Sequence, residues 1–206
     1  YAIEIIKKIR PKFIILENVP LQLTTKIKYK GKIIFIPEFI KAELNTMYNF
    51  NDEDLIKTMD YGIPQMRKRN IFLLVRKDMN FVWNFPKPAK KTINLRQALK
   101  NVPSLDPLLR EGYNETVKMF PDYEKKKKAG LKISKFHYPP THSKKHVEWM
   151  IKTPSGKTAF DNKYNFPRKK NGKRISGHYN HYRRHSWDKP SRSLTQNNGV
   201  ISSLAC

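Results

Sequence analysis

The chain has 206 residues, the size of one large domain or of a large and a small lobe, and its 42 Lys+Arg against 17 Asp+Glu leave a net charge of +25. Hydrophobic residues at 38% supply a core, which excludes a wholly disordered polycation; 8 Gly, 1 Cys and no fixed period exclude collagen-like, disulfide-scaffold and repeat architectures. No apolar run approaches the ~20 residues of a membrane-spanning helix, and a lone cysteine without a positively headed apolar leader fits a reducing cytoplasmic compartment. Charge is unevenly placed: residues 1–80 hold 15 Lys+Arg against 9 Asp+Glu, whereas residues 81–206 hold 27 against 8, together with all 6 His. A surface that basic calls for a polyanion, of which nucleic acid is the ordinary one, with plain solubility in a lysine-rich proteome as the alternative.

Residues 1–80 read as α/β. Ala2, Ile3, Ile5, Ile6 and Ile9 recur at helical spacing until Pro11 stops them, and Phe13-Ile14-Ile15-Leu16 is a continuous apolar run suited to a buried parallel strand. Lys26 to Ile36, around Gly31, alternates weakly as a hairpin or an extended excursion. Pro37 suits the first turn of a second helix with Phe39, Ile40 and Leu44 on one face; Asn51 or Asp52 caps a shorter helix through Leu55 and Ile56. Ile71-Phe72-Leu73-Leu74-Val75 makes another buried strand.

Past Asn80 the texture changes, and a domain boundary is placed near Asn80–Trp83. One helix spans Thr92 to Leu99 with Asn94 and Gln97 as a capping pair, and Ser143 caps another carrying Val147, Met150 and Ile151. Nine prolines between Pro86 and Pro167 break the rest into irregular chain. Lys125 to Lys128 reads as a solvated segment, and Trp83, Trp149 and Trp187 as core or lobe-interface residues.

Two clusters carry chemistry. Glu17 directly follows the first strand, and in open α/β sheets ligands bind beyond the carboxyl ends of strands; a capping or surface Glu is the plain alternative. In Asp60-Tyr61-Gly62-Ile63-Pro64-Gln65-Met66-Arg67-Lys68-Arg69-Asn70, Gly62 and Pro64 fix a turn, after which alternation points Gln65, Arg67 and Arg69 to one side. Two guanidiniums and an amide on one face suit phosphate and base-edge binding, against the alternative of a basic strand edge that blocks pairing. His142 and His146, like His181 and His185, stand four apart, but no cysteine or carboxylate is spaced to complete a zinc site and no metal is expected.

Glu17-Asn18-Val19 ending one strand, followed by Gln65-Met66-Arg67-Lys68-Arg69 opening another, resembles the Glu-Asn-Val and Gln-x-Arg-x-Arg motifs of the DNA (cytosine-5)-methyltransferase family of restriction-modification systems. Trp187 to Thr195 resembles the end of that family's target-recognition region, with Ser193-Leu194 where the family favours Thr-Leu. The family's Phe-x-Gly-x-Gly loop for S-adenosylmethionine and its Pro-Cys nucleophile, both upstream of Glu-Asn-Val, have no counterpart here. The chain therefore reads as the middle-to-late part of an enzyme cut at both ends, and Cys206 as an ordinary thiol.

The resemblance implies an α/β fold. Residues 1–80 are the C-terminal half of a catalytic, Rossmann-like S-adenosylmethionine-dependent methyltransferase sheet, and residues 81–206 a smaller, irregular, basic target-recognition domain, incomplete at its C-terminal end. It implies methyl transfer from S-adenosylmethionine to carbon 5 of a cytosine flipped out of duplex DNA, in the bacterial cytoplasm at the nucleoid, protecting DNA from a cognate endonuclease. By resemblance Glu17 contacts ring N3 and the exocyclic amine from a dry pocket, Arg69 meets the carbonyl oxygen, and Arg67 and Gln65 hold phosphate or the nucleophile loop. Asn18 and Val19 brace the site. Arg168, Lys169, Lys170, Lys173, Arg174, His181, Tyr182, Arg183, Arg184, Ser193, Leu194 and Thr195 are the expected DNA contacts, those around Tyr182 by stacking or in the groove. The cofactor-binding residues lie outside these motifs. Two alternatives stand: an RNA cytosine methyltransferase of related fold, and a non-catalytic DNA-binding or specificity subunit whose partner chain supplies the thiol and cofactor loop.

Overall fold

The computed structural model describes residues 1–89, 91–163, 166–169, 171–175 and 182–193. The chain divides into two units, Tyr1–Thr92 and Ile93–Cys206.

In the first unit, α1 (Ala2–Ile9) ends where Arg10 turns left-handed at φ 51° and its amide donates to Ile6 at 2.8 Å, immediately before Pro11. Strand β1 (Phe13–Asn18) follows, then a 3-10 turn at Pro20–Leu23, then the hairpin of β2 (Lys26–Tyr29) and β3 (Lys32–Phe35). Lys30 at φ 47° and Gly31 at φ 79° form the two-residue turn, the doubly positive conformation that fits strand twist and that glycine accommodates without strain. Helix α2 (Ile36–Leu44) starts with proline in its first turn, and Glu38 reaches back to accept from the Phe35 amide at 2.8 Å. Strands β4 (Tyr48–Lys57) and β5 (Lys68–Arg76) complete a three-stranded sheet of order β1-β5-β4.

Both pairings are antiparallel, so the parallel strand expected at Phe13–Leu16 is corrected to an antiparallel edge strand. An apolar run carries no direction; the path by which the chain returns sets it. Nor is β1 buried on both faces: Ile14 and Leu16 enter the core, while Ile15 on the opposite face is 58% exposed. The short helix expected from Asn51 or Asp52 is likewise absent, because residues 48–57 pair along β5 and the ladder overrides local capping preference. Register shifts between Glu53 and Ile56.

One face of the sheet carries α1 and α2 over a core of Ile6, Ile14, Ile40, Leu44, Tyr48, Phe72 and Leu74. Tyr48 also donates from its hydroxyl to the Pro11 carbonyl at 2.9 Å. The other face is crossed by the segment after Asn80. Phe81 and Trp83 meet Phe13 edge-on with centroids 5.7 and 5.6 Å away, Asn51 donates to the Trp83 carbonyl at 2.6 Å, and Ala89 donates to the Asp60 carbonyl at 2.5 Å. These contacts keep residues 81–92 with the first unit, so the boundary falls at Thr92 rather than near Asn80–Trp83.

In the second unit the regular structure is chiefly short helices, set in irregular chain. Helix α3 (Leu95–Leu99) is shorter than the expected Thr92–Leu99 but has the expected cap: Asn94 accepts from the Gln97 amide at 2.9 Å and Gln97 accepts from the Asn94 amide at 3.1 Å. Strand β6 (Leu108–Leu109) lies parallel to β7 (Thr141–His142), and between them run α4 (Tyr113–Met119) and α5 (Tyr123–Ile133), two helices in chain expected to be irregular. Proline spacing misleads here: Pro121 falls in the break between them. Lys125 and Lys128 on α5 are exposed, while Lys126 pairs with Asp106 at 2.8 Å. Helix α6 (Lys144–Ile151) follows Ser143 as expected, although the Ser143 side chain makes no cap bond. Val147 and Met150 face Leu109 in a small core, and Trp149, not Ile151, is the third buried side chain. Among the described residues no helix is long and apolar enough to cross a membrane.

Candidate active site

Strand β1 ends in Glu17-Asn18, with Val19 just beyond it, beside the start of β5. Glu17 faces Ile71 in register and Asn18 faces Asn70. Side chains alternate across a strand, so Glu17 and Arg69 share the face opposite the helices, and the Arg69 Nε lies 2.5 Å from the Glu17 carboxylate. The predicted acid and the predicted cation thus form an ion pair across two strands. Within this chain the Glu17 side chain is 53% exposed and that of Arg69 19%. Arg69 also donates to the Lys68 carbonyl at 2.7 Å.

The turn before β5 holds the rest. A 3-10 turn at Thr58–Tyr61 ends on Gly62 at φ 79°, and Thr58 donates through its hydroxyl to the Gln65 carbonyl at 2.7 Å. Its amide donates to the Arg67 carbonyl at 2.9 Å. Gln65, Arg67 and Arg69 are all half-buried while Met66 and Lys68 are exposed, which is the one-sided array read from the sequence. Val19 is exposed, and its amide donates to the Asn18 side chain at 2.8 Å.

Asn70 is the residue that motif reading passed over. It is fully buried, and in the amide orientation that satisfies its surroundings its nitrogen donates to the carbonyls of Asn18 and Val19 at 3.0 Å each, with its oxygen 2.9 Å from the Gln22 side-chain amide. One side chain clasps the backbone that carries Glu17 and ties it to the following 3-10 turn. An uncharged polar residue directly before the apolar run Ile71–Val75 is the signal the sequence offers. Asn70→Ala is expected to lower folding stability by about 1–3 kcal/mol, since the carbonyls lose their donor; an unchanged urea midpoint would show that the clasp carries no load.

The residues expected to contact DNA fall in the second unit. Pro167 to Ile175 forms a small hairpin in which Lys169 donates to the Lys173 carbonyl at 2.8 Å and Gly172 turns at φ 77°. Arg168 and Arg174 pair at its base, with the Phe166 ring 4.3 Å from one guanidinium and 5.1 Å from the other. Arg168, Lys169, Lys173 and Ser193 are exposed. Arg174, also exposed, donates to the Phe160 carbonyl at 2.5 Å. Tyr182, Arg183 and Arg184 sit differently. Tyr182 packs among His146, Trp149 and Phe160, where burial raises its hydroxyl above the usual phenol range. Arg183 donates to the Gly156 carbonyl at 3.3 Å and Arg184 to the Thr153 carbonyl at 2.9 Å, so both guanidiniums are committed to their own unit. Lys170, His181, Leu194, Thr195 and Cys206 lie outside the described residues.

His142 stands on β7 and only His146 on α6, so the two do not share a helix face; burial, the largest influence on each, holds both below the usual imidazole range. Among the described residues no group of three or more His, Cys, Asp or Glu is arranged to hold a metal ion.

The model of the C-5 cytosine-specific DNA methylase family matches residues 1–200. The chain belongs to that family. The Type II methyltransferase M1.HgaI of Avibacterium volantium is 35% identical to this methylase chain over 203 residues, which are 98% of this chain and 50% of that protein. M.MthTI of Methanothermobacter thermautotrophicus is 32% identical over 111 residues, 53% of this chain and 31% of that one. A crystal structure from E. coli, described as a DNA modification methyltransferase encoded within a prophage, superposes at a TM-score of 0.57 with 19% identity, covering 93% of this chain and 55% of that one. That likeness shows the mixed α/β fold. The methylase chain spans about half the length of the first relative and of the solved structure, and less of the second relative.

Proposed function

We propose that this methylase chain is the later part of a restriction-modification DNA cytosine-5 methyltransferase. Tyr1–Thr92 would be the later part of its catalytic sheet and Ile93–Cys206 most of its target-recognition domain. The observation that carries the reading is the Glu17–Arg69 pair, because it joins two motifs that 45 residues of sequence separate into one polar site.

The chemistry requires such a pair. Carbon 5 of cytosine attacks a methyl donor only after a thiolate has added to carbon 6, and that addition pushes electron density toward ring N3. Glu17 holds a proton at N3 and accepts from the exocyclic amine, while Arg69 donates to the carbonyl oxygen and keeps the carboxyl oriented. These contacts require the base to leave the duplex, with the unpaired position then read by polar groups. The thiolate comes from outside this chain's matched motifs. S-adenosylmethionine is the methyl donor of the family, but no two glycines of this sequence stand at Gly-x-Gly spacing, so its residues do not fit a cradle for that group and no step here runs through it. In the second unit, Arg168, Lys169, Lys173 and Ser193 are exposed for duplex contacts.

The test is transfer of labelled methyl from S-adenosylmethionine into duplex DNA by the complete natural chain, followed by nucleoside analysis. Label in 5-methylcytosine is expected. Label in RNA alone would overturn the substrate assignment, and duplex binding without transfer by that chain would replace this reading with that of a specificity subunit.

A further inference from the structure

The first unit carries a basic element that none of the motifs accounts for. From Asn18 to Pro37 there is no acidic residue and there are four lysines, all on the β2–β3 hairpin. Tyr29 pins the inner side of this hairpin to α2, meeting Phe39 edge-on at 5.2 Å and donating to the Glu43 carboxylate. The outer side is left to solvent. Lys26 faces Phe35 in register and Lys28 faces Ile33; all four are exposed, and the Lys26 ammonium lies 5.1 Å from the Phe35 ring. Among the described residues no ion pair is formed by Lys26, Lys28 or Lys32, whereas Lys30 turns back over the Tyr29 ring.

The hairpin is also held in place relative to Glu17. Asn70 binds Gln22 in the 3-10 turn, Thr25 donates from its amide and its hydroxyl to the Leu21 carbonyl at 3.0 and 2.8 Å, and Ile36 closes the hairpin base by donating to the Thr25 carbonyl at 3.0 Å. A continuous set of hydrogen bonds therefore connects the site to the hairpin root, and a strand of four residues projects only about 13 Å beyond it. The duplex from which a base enters at Glu17 carries a phosphate every ~3.4 Å along each strand, so its backbone runs within that reach.

We infer that the β2–β3 hairpin is a second DNA-backbone contact, placed on the catalytic unit, in which Lys26 and Lys28 neutralise phosphates of the duplex flanking the target cytosine. This rests on the proposed function, and it adds to it a duplex contact outside the recognition unit. The exposed Ile33 and Phe35 between the lysines supply an apolar floor beside the sugar edge.

The test compares, in the complete natural chain, Lys26→Gln/Lys28→Gln with a control pair, Lys12→Gln/Lys77→Gln. The control lysines are exposed and stand at the opposite end of β1 and β5 from Glu17. Duplex affinity is measured from 50 to 200 mM salt. The hairpin variant is expected to lower the salt slope by about 1.8, about 0.9 per contact, so that the parent-to-variant affinity ratio shrinks roughly tenfold across that range. The control should keep the parent slope, and Lys26→Arg/Lys28→Arg should restore it. A hairpin variant with the parent slope, while the parent itself binds steeply, overturns this inference alone. A parent without salt-dependent duplex binding overturns the proposed function and this inference together.

Discussion

Glu17→Gln in the complete natural chain is expected to slow methyl transfer by about 10²–10⁴-fold while leaving duplex affinity within about twofold of the parent. Glutamine keeps the size of the side chain and one carbonyl oxygen, so it can still accept from an exocyclic amine. It has no proton to share with ring N3. It also removes the charge that holds Arg69 at 2.5 Å, which leaves the guanidinium with its bond to the Lys68 carbonyl alone. Single-turnover methylation at saturating DNA isolates the chemical step, and an equilibrium titration of the same duplex isolates binding. Equal losses in both would mean that Glu17 organises the DNA-bound protein and does not act on the base. Because the Glu17 carboxylate is half exposed and its partner Arg69 keeps its bond to the Lys68 carbonyl, the substitution should leave the unfolding midpoint close to that of the parent.

Duplex binding by the complete natural chain is expected to fall by about 10³–10⁵-fold between 50 and 200 mM salt, the response of a protein that neutralises about six to ten phosphates. The cations able to take part are not all those the sequence offers. Lys169 and Lys173 at the tip of the Pro167–Ile175 hairpin are open, as is Arg168 at its base, whereas Arg183 and Arg184 are bound to carbonyls of Gly156 and Thr153. Lys169→Gln/Lys173→Gln should therefore lower the salt slope by about 1.8, and Arg184→Gln should lower stability with little change in slope. A nearly flat salt response would remove the electrostatic reading of residues 81–206.

Much of the site was legible because it is local. Gly62 and Pro64 dictate a turn, strand alternation then sends Gln65, Arg67 and Arg69 to one side, and the described burial pattern follows that alternation residue by residue. The Asn94–Gln97 cap and the Pro37 helix start were legible for the same reason, since each depends on side chains within one turn of the chain. Residues 48–57 were misread because a capping signal at Asn51 competes with pairing along β5, a partner that local pattern does not name. The basic neighbours of Tyr182 in sequence point to stacking or groove contacts, whereas its contacts within the unit, Trp149 and Phe160, come from distant segments that no local pattern names.

The sequence by itself determined the family through two short motifs, the charge asymmetry between the two parts, and the types of residue that the chemistry needs. Their meeting was decided only by the tertiary structure. Glu17 and Arg69 face each other because β1 and β5 run antiparallel in one particular register, and a shift of one residue would turn Arg69 to the helix-covered face. Asn70 matters for the same reason, since a buried amide becomes a clasp only when the carbonyls of Asn18 and Val19 lie beside it. Residue chemistry is written in the chain, whereas pairing direction and register arise from how whole strands bury their apolar faces together.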